Sequence, residues 1–340
     1  INYVDKTCQD VVDMFGISGK VSAIISQLWP FLGLPPRQLS FLIFVSTVID
    51  YTYNGGYYPK GGAQAIANAL TEVVRENGGS VIFSNAVKKI LIKDQAAYGV
   101  TTKNGNEYFS DKIVSNINPH TTFYNLIGEE YLPPVFLEKM SKMEPSISAI
   151  HVYLGLNADL RNIGVTDYTV FLNENYDLNS QYIACLNNNA NEMPIEISFH
   201  NLLEGSENSP QKDTMSIVAM AGFDYWQNFT REEYVKRKMK IADVLISRAE
   251  RIFPKLSSCI EKIEVATPKT IVKFTGNYKG AIYGWSQILS QSGKRRMRQK
   301  TIIENLFLSG AWTEPVGGVT GVMQSGVMAA SKILHKEPFK

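Results

Sequence analysis

The most constraining feature of this chain lies near its end. "ENLFLSGAWTEPVGGVTGVMQSGVMAASKIL" reads as a short apolar strand, a Gly-rich turn and a helix. Such a layout holds anions and carbonyl-like oxygens in α/β proteins, because the first helix turn carries unsatisfied N–H groups and a positive dipole end. Gly317 and Gly318 would let the backbone approach a ligand closely, although glycine turns also serve plain packing. A second turn, "NGGYYPKGG" at 54–62, has four glycines and a proline. It also opens a helix, with Ala63, Ile66, Leu70 and Val73 at helical spacing and a stop at Asn77, Gly78 and Gly79. The two turns flank one ligand if the chain folds back on itself.

Between these turns the texture changes. "SVIFSNAVKKILI" predicts a strand, a bend and a second strand, and "AAYGVTTKNGNEYFSDKIVSN" predicts strands around the hairpin signal Asn104-Gly105. This is the pattern of the later half of a nucleotide-binding domain with an added meander. From residue 120 to about 290, "SAIHVYLGLN", "QYIACLNN", "PIEISFH" and "TMSIVAMA" predict strands of a mixed or antiparallel sheet. A long amphipathic helix over 231–253 would cover it through Tyr234, Met239, Ala242, Leu245, Ile246 and Ala249, ending at Pro254. Residues 1–54 read as apolar helices punctuated by Pro30, Pro35 and Pro36, a buried pair that also suits a wall around an apolar substrate. The C-terminal helix gathers Val319, Val322, Met323, Gly326, Val327, Ala330 and Leu334 near one side, with Gly326 and Ala330 permitting close approach.

Composition removes other classes. A chain of 340 residues with 44% apolar and 19% charged residues folds with a large core. Its net charge of +2 does not suit nucleic-acid binding. The one dense basic run is Lys294, Arg295, Arg296, Arg298 and Lys300, either a solvated loop or a contact with an anion. Cys8, Cys185 and Cys259 form no CxxC pair, and His120, His151, His200 and His335 are scattered, so no metal is expected. His151 and His200 fall on predicted strands as ordinary residues. The most apolar stretch, Leu39 to Ile49, is too short to span a bilayer. A cytoplasmic location with at most peripheral membrane contact is expected, and nothing indicates the oligomeric state. The opening at Ile1 already resembles the middle of a helical domain, which suggests a processed or truncated chain.

These residues resemble a known group, the phytoene desaturase, carotenoid isomerase and retinol saturase members of the flavin amine oxidase superfamily. "GGYYPKGGAQAIANAL" is similar to the family segment that opens a helix before the adenine-side strands, which puts Gly61 and Gly62 at the cofactor. "GGSVIFSNAVKKI" resembles the strand whose valine backbone contacts the adenine, here Val87. "NLFLSGAWTEPVGGVTGVMQSGVMAA" looks like the C-terminal flavin motif. There Gly310 begins the turn beside the ribityl chain, and Gly317, Gly318 and Val319 present N–H groups to the pyrimidine edge. "FTGNYKGAIYGW", residues 274–285, resembles the loop leading into that motif.

The resemblance implies an α/β fold: the C-terminal part of an FAD/NAD(P)-binding Rossmann-like domain interleaved with an α+β substrate domain built on a mixed or antiparallel sheet. Residues 1–54 would be the helical part of the substrate domain and 55–118 a partial FAD-binding domain. Residues 119–296 would carry the substrate sheet and 297–336 the flavin-binding end. The family begins with a strand, GxGxxG and a helix that hold the FAD pyrophosphate. No GxGxxG occurs in this sequence, so FAD is expected to be absent or weakly held by the chain as given.

The implied reaction is desaturation, saturation or isomerisation of carbon–carbon double bonds in a carotenoid- or retinoid-like polyene. The flavin carries such chemistry, so few proton-transfer side chains are needed. Tyr57 and Tyr58 are candidates to face the ring, although turn packing explains them equally. Glu314 is a candidate proton carrier, although a carboxylate near a helix start is also favoured electrostatically. Lys60 has similar standing. Two alternatives stay open: an amine oxidase-like enzyme on another substrate, and a non-catalytic binding or interaction module. A GxGxxG encoded upstream of Ile1 would favour an enzyme, and a natural start codon at residue 1 the module.

Overall fold

Thr7 starts the first helix. Its hydroxyl accepts the Asp10 N–H at 3.1 Å while the Asp10 carboxylate accepts the Thr7 N–H at 2.8 Å, a capping box for α1 (Cys8–Met14). The computed structural model describes residues 2–158, 164–199, 202 and 213–335. After α2 (Gly19–Ile25), α3 (Phe41–Ile49) continues through a π-helical stretch to Asn54. The expected buried pair is only half covered. Leu39 and Phe44 are buried, whereas Leu42, Ile49 and Tyr53 are exposed.

The next helix, α4 (Ala63–Glu76), forms where its spacing predicts, yet none of its residues is buried. Leu70, Val73 and Val74 stand on open surface, as do Ile82 and Phe83 just beyond. The strand expected at 80–83 does not form, and pairing begins at Val87. Ladder hydrogen bonds need a neighbour, and among the described residues no strand lies beside this segment.

An antiparallel meander follows: β1 (Val87–Lys93), β2 (Ala96–Thr102) and β3 (Glu107–Phe109). Gly105 turns the hairpin at φ +83°. β4 (Ile113–Ser115) leaves this meander, and α5 (Pro134–Ser141) comes after it. A five-stranded sheet is built from β5 (Ser148–Leu156), β6 (Thr169–Leu172), β7 (Ile195–Ser198), β8 (Asp213–Ala221) and β9 (Ile260–Ala266). Their order is β6-β7-β8-β5-β9, and every described pairing is antiparallel.

"QYIACLNN" is not a strand but part of a helix, α6 (Leu178–Leu186). The Asp177 carboxylate caps it by accepting from the N–H groups of Asn179 and Ser180. Leu178, Gln181, Ala184 and Cys185 are its buried positions, a helical spacing that outweighs the β-rich composition. His200 lies outside the described residues.

The long helix α7 (Arg231–Glu250) covers the sheet through Ile241, Ala242, Leu245, Ile246 and Ala249. Arg248 is buried among them. Its Nε donates to Glu174 at 2.9 Å and its Nη1 to the carbonyls of Ala190 and Met193. After α8 (Pro268–Thr275), β10 (Leu306–Leu308) pairs in parallel with β4, Phe307 opposite Val114. This pairing brings the end of the chain back beside residues 113–115.

The last helix, α9 (Val319–Leu334), lies with its other side inward. Gly321, Ser325 and Ala329 are buried, while Val319, Met323, Val327 and Leu334 are exposed. Close approach falls at Gly321, where a Cβ would collide with the Val316 carbonyl, rather than at Gly326. Small residues win the inward face because the helix lies directly on its own entry turn.

Two apolar cores result among the described residues. One joins the five-stranded sheet, α6, α7 and the N-terminal helices around Trp29, Trp226 and Phe199. The other joins Ile90 and Ala97 of the meander, Phe123, Met140 and Trp285, and Leu306, Leu308 and Trp312 of the terminal segment.

Candidate functional site

The turn between β10 and α9 is held from beneath. Gly310, at φ +101°, sits so close to Asn116 that a side chain there would strike the Asn116 amide. The Gly310 N–H donates to Ser325 Oγ at 3.0 Å, and Ser325 Oγ lies 2.6 Å from Thr313 Oγ1. Glu314 precedes Pro315 through a cis peptide bond. The Glu314 N–H donates to Met297 O at 2.9 Å, and Gln299 Nε2 donates to Glu314 O at 2.8 Å.

The main clamp is Arg296, which is 2% exposed. Its guanidinium donates to Thr313 O at 2.9 Å, Trp285 O at 3.1 Å and Tyr283 O at 3.2 Å, and also to Ala311 O. Burial without a carboxylate partner pulls its pKa down to about 10. Five fixed donors suit a set of converging carbonyls. In the sequence Arg296 belongs to the basic run 294–300, open to a solvated loop or a contact with an anion. Nothing in that run distinguishes the inward residue, because its carbonyl partners come from distant segments.

The helix start above this clamp is open. Gly318, at φ +85°, is the N-cap of α9 and supplies no side-chain cap. A Cβ on Gly318 would meet nothing within 4 Å, whereas one on Gly317 would press on the Tyr283 carbonyl at 3.0 Å. Gly318 and Val319 face solvent. The arrangement therefore presents unsatisfied N–H groups and a positive dipole end at an accessible surface.

The other turn closes a different structure. Gly61 and Gly62 both have positive φ, and Gly62 is the uncapped start of α4. A side chain on Gly61 would meet only Ala65, so the turns bearing Gly61 and Gly318 do not touch at these positions. Val87 stands half exposed at the start of β1, opposite Thr102.

Tyr57 and Tyr58 line an aromatic cavity of about 230 Å³ with Phe31, Tyr51, Tyr168 and Phe171. Tyr57 itself is 90% exposed. A Cβ added at Gly56 would come within 3.7 Å of both the Tyr51 ring and the Tyr168 hydroxyl. The hydrogen bond to Tyr168, together with burial, raises the pKa of Tyr51. Glu196 puts a carboxylate in the cavity wall, where Oε1 accepts from Ser198 Oγ at 3.1 Å. Tyr168, Phe171 and Glu196 were not marked by the sequence, since Tyr168 and Phe171, before and within β6, meet Glu196 of β7 only through the pairing of these strands.

Tyr283 joins the two features. Its backbone carbonyl abuts Gly317, and its hydroxyl donates to Pro30 O at 3.0 Å, next to the cavity residue Phe31. Burial raises the Tyr283 phenol pKa far above its ordinary value. It is a structural spacer between the open helix start and the aromatic cavity. The histidines lie elsewhere: His120 stacks on Tyr278 at 4.1 Å, and His151 stacks with Tyr153 at 5.7 Å. Burial lowers the pKa of both imidazoles.

The family described as flavin containing amine oxidoreductase matches residues 27–334. Among curated relatives, an all-trans-retinol 13,14-reductase from Danio rerio is 24% identical over 99% of this chain and 60% of its own length. A chloroplastic prolycopene isomerase from Daucus carota is 30% identical over 84% of this chain and 45% of its own length. The chain thus spans roughly half of the curated relatives it matches. The crystal structure of an oxidoreductase from Methanosarcina mazei superimposes with a TM-score of 0.64 at 16% identity, covering 97% of this chain and 68% of that one. That likeness supports an α/β Rossmann-like fold with a substrate domain.

Proposed function

This chain belongs to the flavin-containing amine oxidoreductase family, and we propose that it serves an FAD-dependent oxidoreductase acting on carbon–carbon double bonds of an apolar polyene. The supporting observation is the open helix start at Gly318 linked through Tyr283 to an aromatic cavity. The residues fit a flavin: Gly317, Gly318 and Val319 would offer backbone N–H groups to the pyrimidine edge. Gly310 would stand beside the ribityl chain, and Val87, Gly61 and Gly62 would serve the adenosine side. A bound flavin supplies hydride exchange with carbon. The chain's own part is to orient that ring and to bury an apolar substrate against Phe31, Tyr51, Tyr168 and Phe171. Tyr57, Tyr58 and Glu314 remain the candidates for contact with reacting atoms.

In this reading residues 55–118 and 297–336 form the cofactor side, and 1–54 and 119–296 the substrate side. The parallel pair β4–β10 supports the first grouping and the five-stranded sheet the second. Among the described residues no helix is long and apolar enough to cross a membrane. Peripheral contact of a cytoplasmic protein with a bilayer fits an apolar substrate.

A second reading has one observation in its favour. An aromatic cavity with a carboxylate in its wall also suits an ammonium group. The deciding experiment supplies FAD and offers all-trans-retinol, prolycopene and putrescine separately, with the flavin both oxidised and reduced. In a protein that also carries a pyrophosphate-binding GxGxxG segment, the expected result is a polyene product changed by two hydrogens or by double-bond geometry, whereas the 340-residue chain alone is expected to be inactive. Turnover of putrescine alone would replace the polyene reading with the amine one. For the 340-residue chain purified without added flavin, the expected preparation is nearly colourless, because the sequence has no GxGxxG to grip the pyrophosphate. Stoichiometric yellow flavin in its absorption spectrum would contradict this.

A further inference from the structure

The basic run left open by the sequence is neither a free loop nor a uniform patch. It forms one rim of a cavity of about 560 Å³, a size suited to a small-molecule ligand. Lys294, Arg298 and Lys300 stand on this rim with Lys139 of α5. All four are exposed, and no carboxylate lines the cavity among the described residues. Arg295 is partly engaged, donating to Asp5 at 2.6 Å and to Leu289 O. Arg296 turns inward to the carbonyls described above.

The floor is of opposite character. Phe123, Phe136, Met140 and Leu308 line it, and all but Phe136 are buried. Phe123 and Phe136 meet edge to face at 4.7 Å. A solvated basic loop needs no apolar cavity beneath it, and a purely ionic site needs no aromatic floor. Four cations above an apolar slot match a molecule with an anionic head and a hydrocarbon body. The cavity shares no lining residue with the aromatic cavity at Tyr57 and Tyr58.

We propose that this cavity binds an anionic amphiphile, its phosphate or carboxylate head on Lys139, Lys294, Arg298 and Lys300 and its chain on Phe123, Phe136, Met140 and Leu308. The chemistry is common to a membrane lipid and to a free fatty acid. The site is independent of the flavin reading and would exist with or without a cofactor.

The test uses the purified protein with four probes: phosphatidylcholine vesicles, the same vesicles containing phosphatidic acid, oleate, and inorganic phosphate. Oleate binding is read by displacement of a fluorescent fatty acid and vesicle binding by flotation. K294E/R298E/K300E is the principal variant, and K294Q/K300Q is a milder one in case the first does not fold. Binding only to the phosphatidic acid vesicles, weakened about thirtyfold in the triple variant and by raised salt, assigns the source to a membrane. Oleate binding with the same loss, and no flotation, assigns it to a free amphiphile. In either case Phe136→Glu should abolish binding, and inorganic phosphate should bind far more weakly than the amphiphile. The proposal is overturned if neither amphiphile binds, if a folded charge variant binds as well as the parent, or if inorganic phosphate competes equally.

Discussion

Gly318→Val is expected to weaken flavin binding at least roughly tenfold and to lower the flavin reduction potential, while the far-ultraviolet circular dichroism is kept. The N–H groups of the α9 start are oriented and uncapped, and the space before them is open. Such donors stabilise negative charge, and a reduced flavin gathers negative charge at its pyrimidine edge. A valine side chain would enter the space that a ring edge needs. It would also strain the backbone, because Gly318 has φ +85° and ψ 163°, a region that only glycine occupies freely. That strain is worth on the order of 1–3 kcal/mol and must be separated from ligand blockage. Gly105→Val is the control: Gly105 has φ +83°, nothing within 4 Å of a Cβ, and a place in the meander hairpin. If both variants lose flavin equally, backbone strain explains the effect and the turn is not the contact. Titration with added FAD, followed by flavin fluorescence and a dye-coupled potential measurement, reads the difference.

The second large effect is expected at Arg296. Arg296→Met keeps most of the volume but removes every donor from the carbonyls of Tyr283, Trp285, Ala311 and Thr313. Each buried carbonyl left without a partner costs about 1–3 kcal/mol. Partial relaxation and the relief of burying a charge offset part of this, so the expected net destabilisation is about 3–5 kcal/mol. Arg296→Lys should recover little, since an ammonium has three donors around one point and cannot span this fork. Chemical denaturation followed by tryptophan fluorescence suits the measurement, because Trp285 and Trp312 lie in the same core, 4.9 Å apart. A loss below about 1 kcal/mol in Arg296→Met would mean that the clamp is dispensable. The turn at Gly317 and Gly318 should loosen along with the core, so if it is the proposed flavin contact this variant should also lose affinity for added FAD.

Some of this protein was legible residue by residue. The strand, Gly-rich turn and helix at 306–334 could be read because each part is set by neighbours close in sequence. The same holds for the helix at 63–76, the Asn104-Gly105 hairpin, most of the antiparallel strands and the amphipathic helix over 231–250. The resemblance carried by "GAWTEPVGGVTG" agrees with the family match across 27–334.

Tertiary structure decided which side of each element mattered. The apolar residues of α4 have the right spacing and no covering, while α9 turns Gly321, Ser325 and Ala329 inward against its own entry turn. "SVIF" has strand composition and no strand partner among the described residues, and "QYIACL" became helical once Asp177 capped it and its helical face was buried. The aromatic cavity draws on residues 31, 51–58, 168–171 and 196–198, and Arg296 reaches carbonyls from 283 to 313. Local spacing sets the period of a helix or strand through backbone geometry alone. Burial, clamping and cavity walls are sums of contacts between segments far apart in sequence, and those sums exist only once the chain has closed on itself.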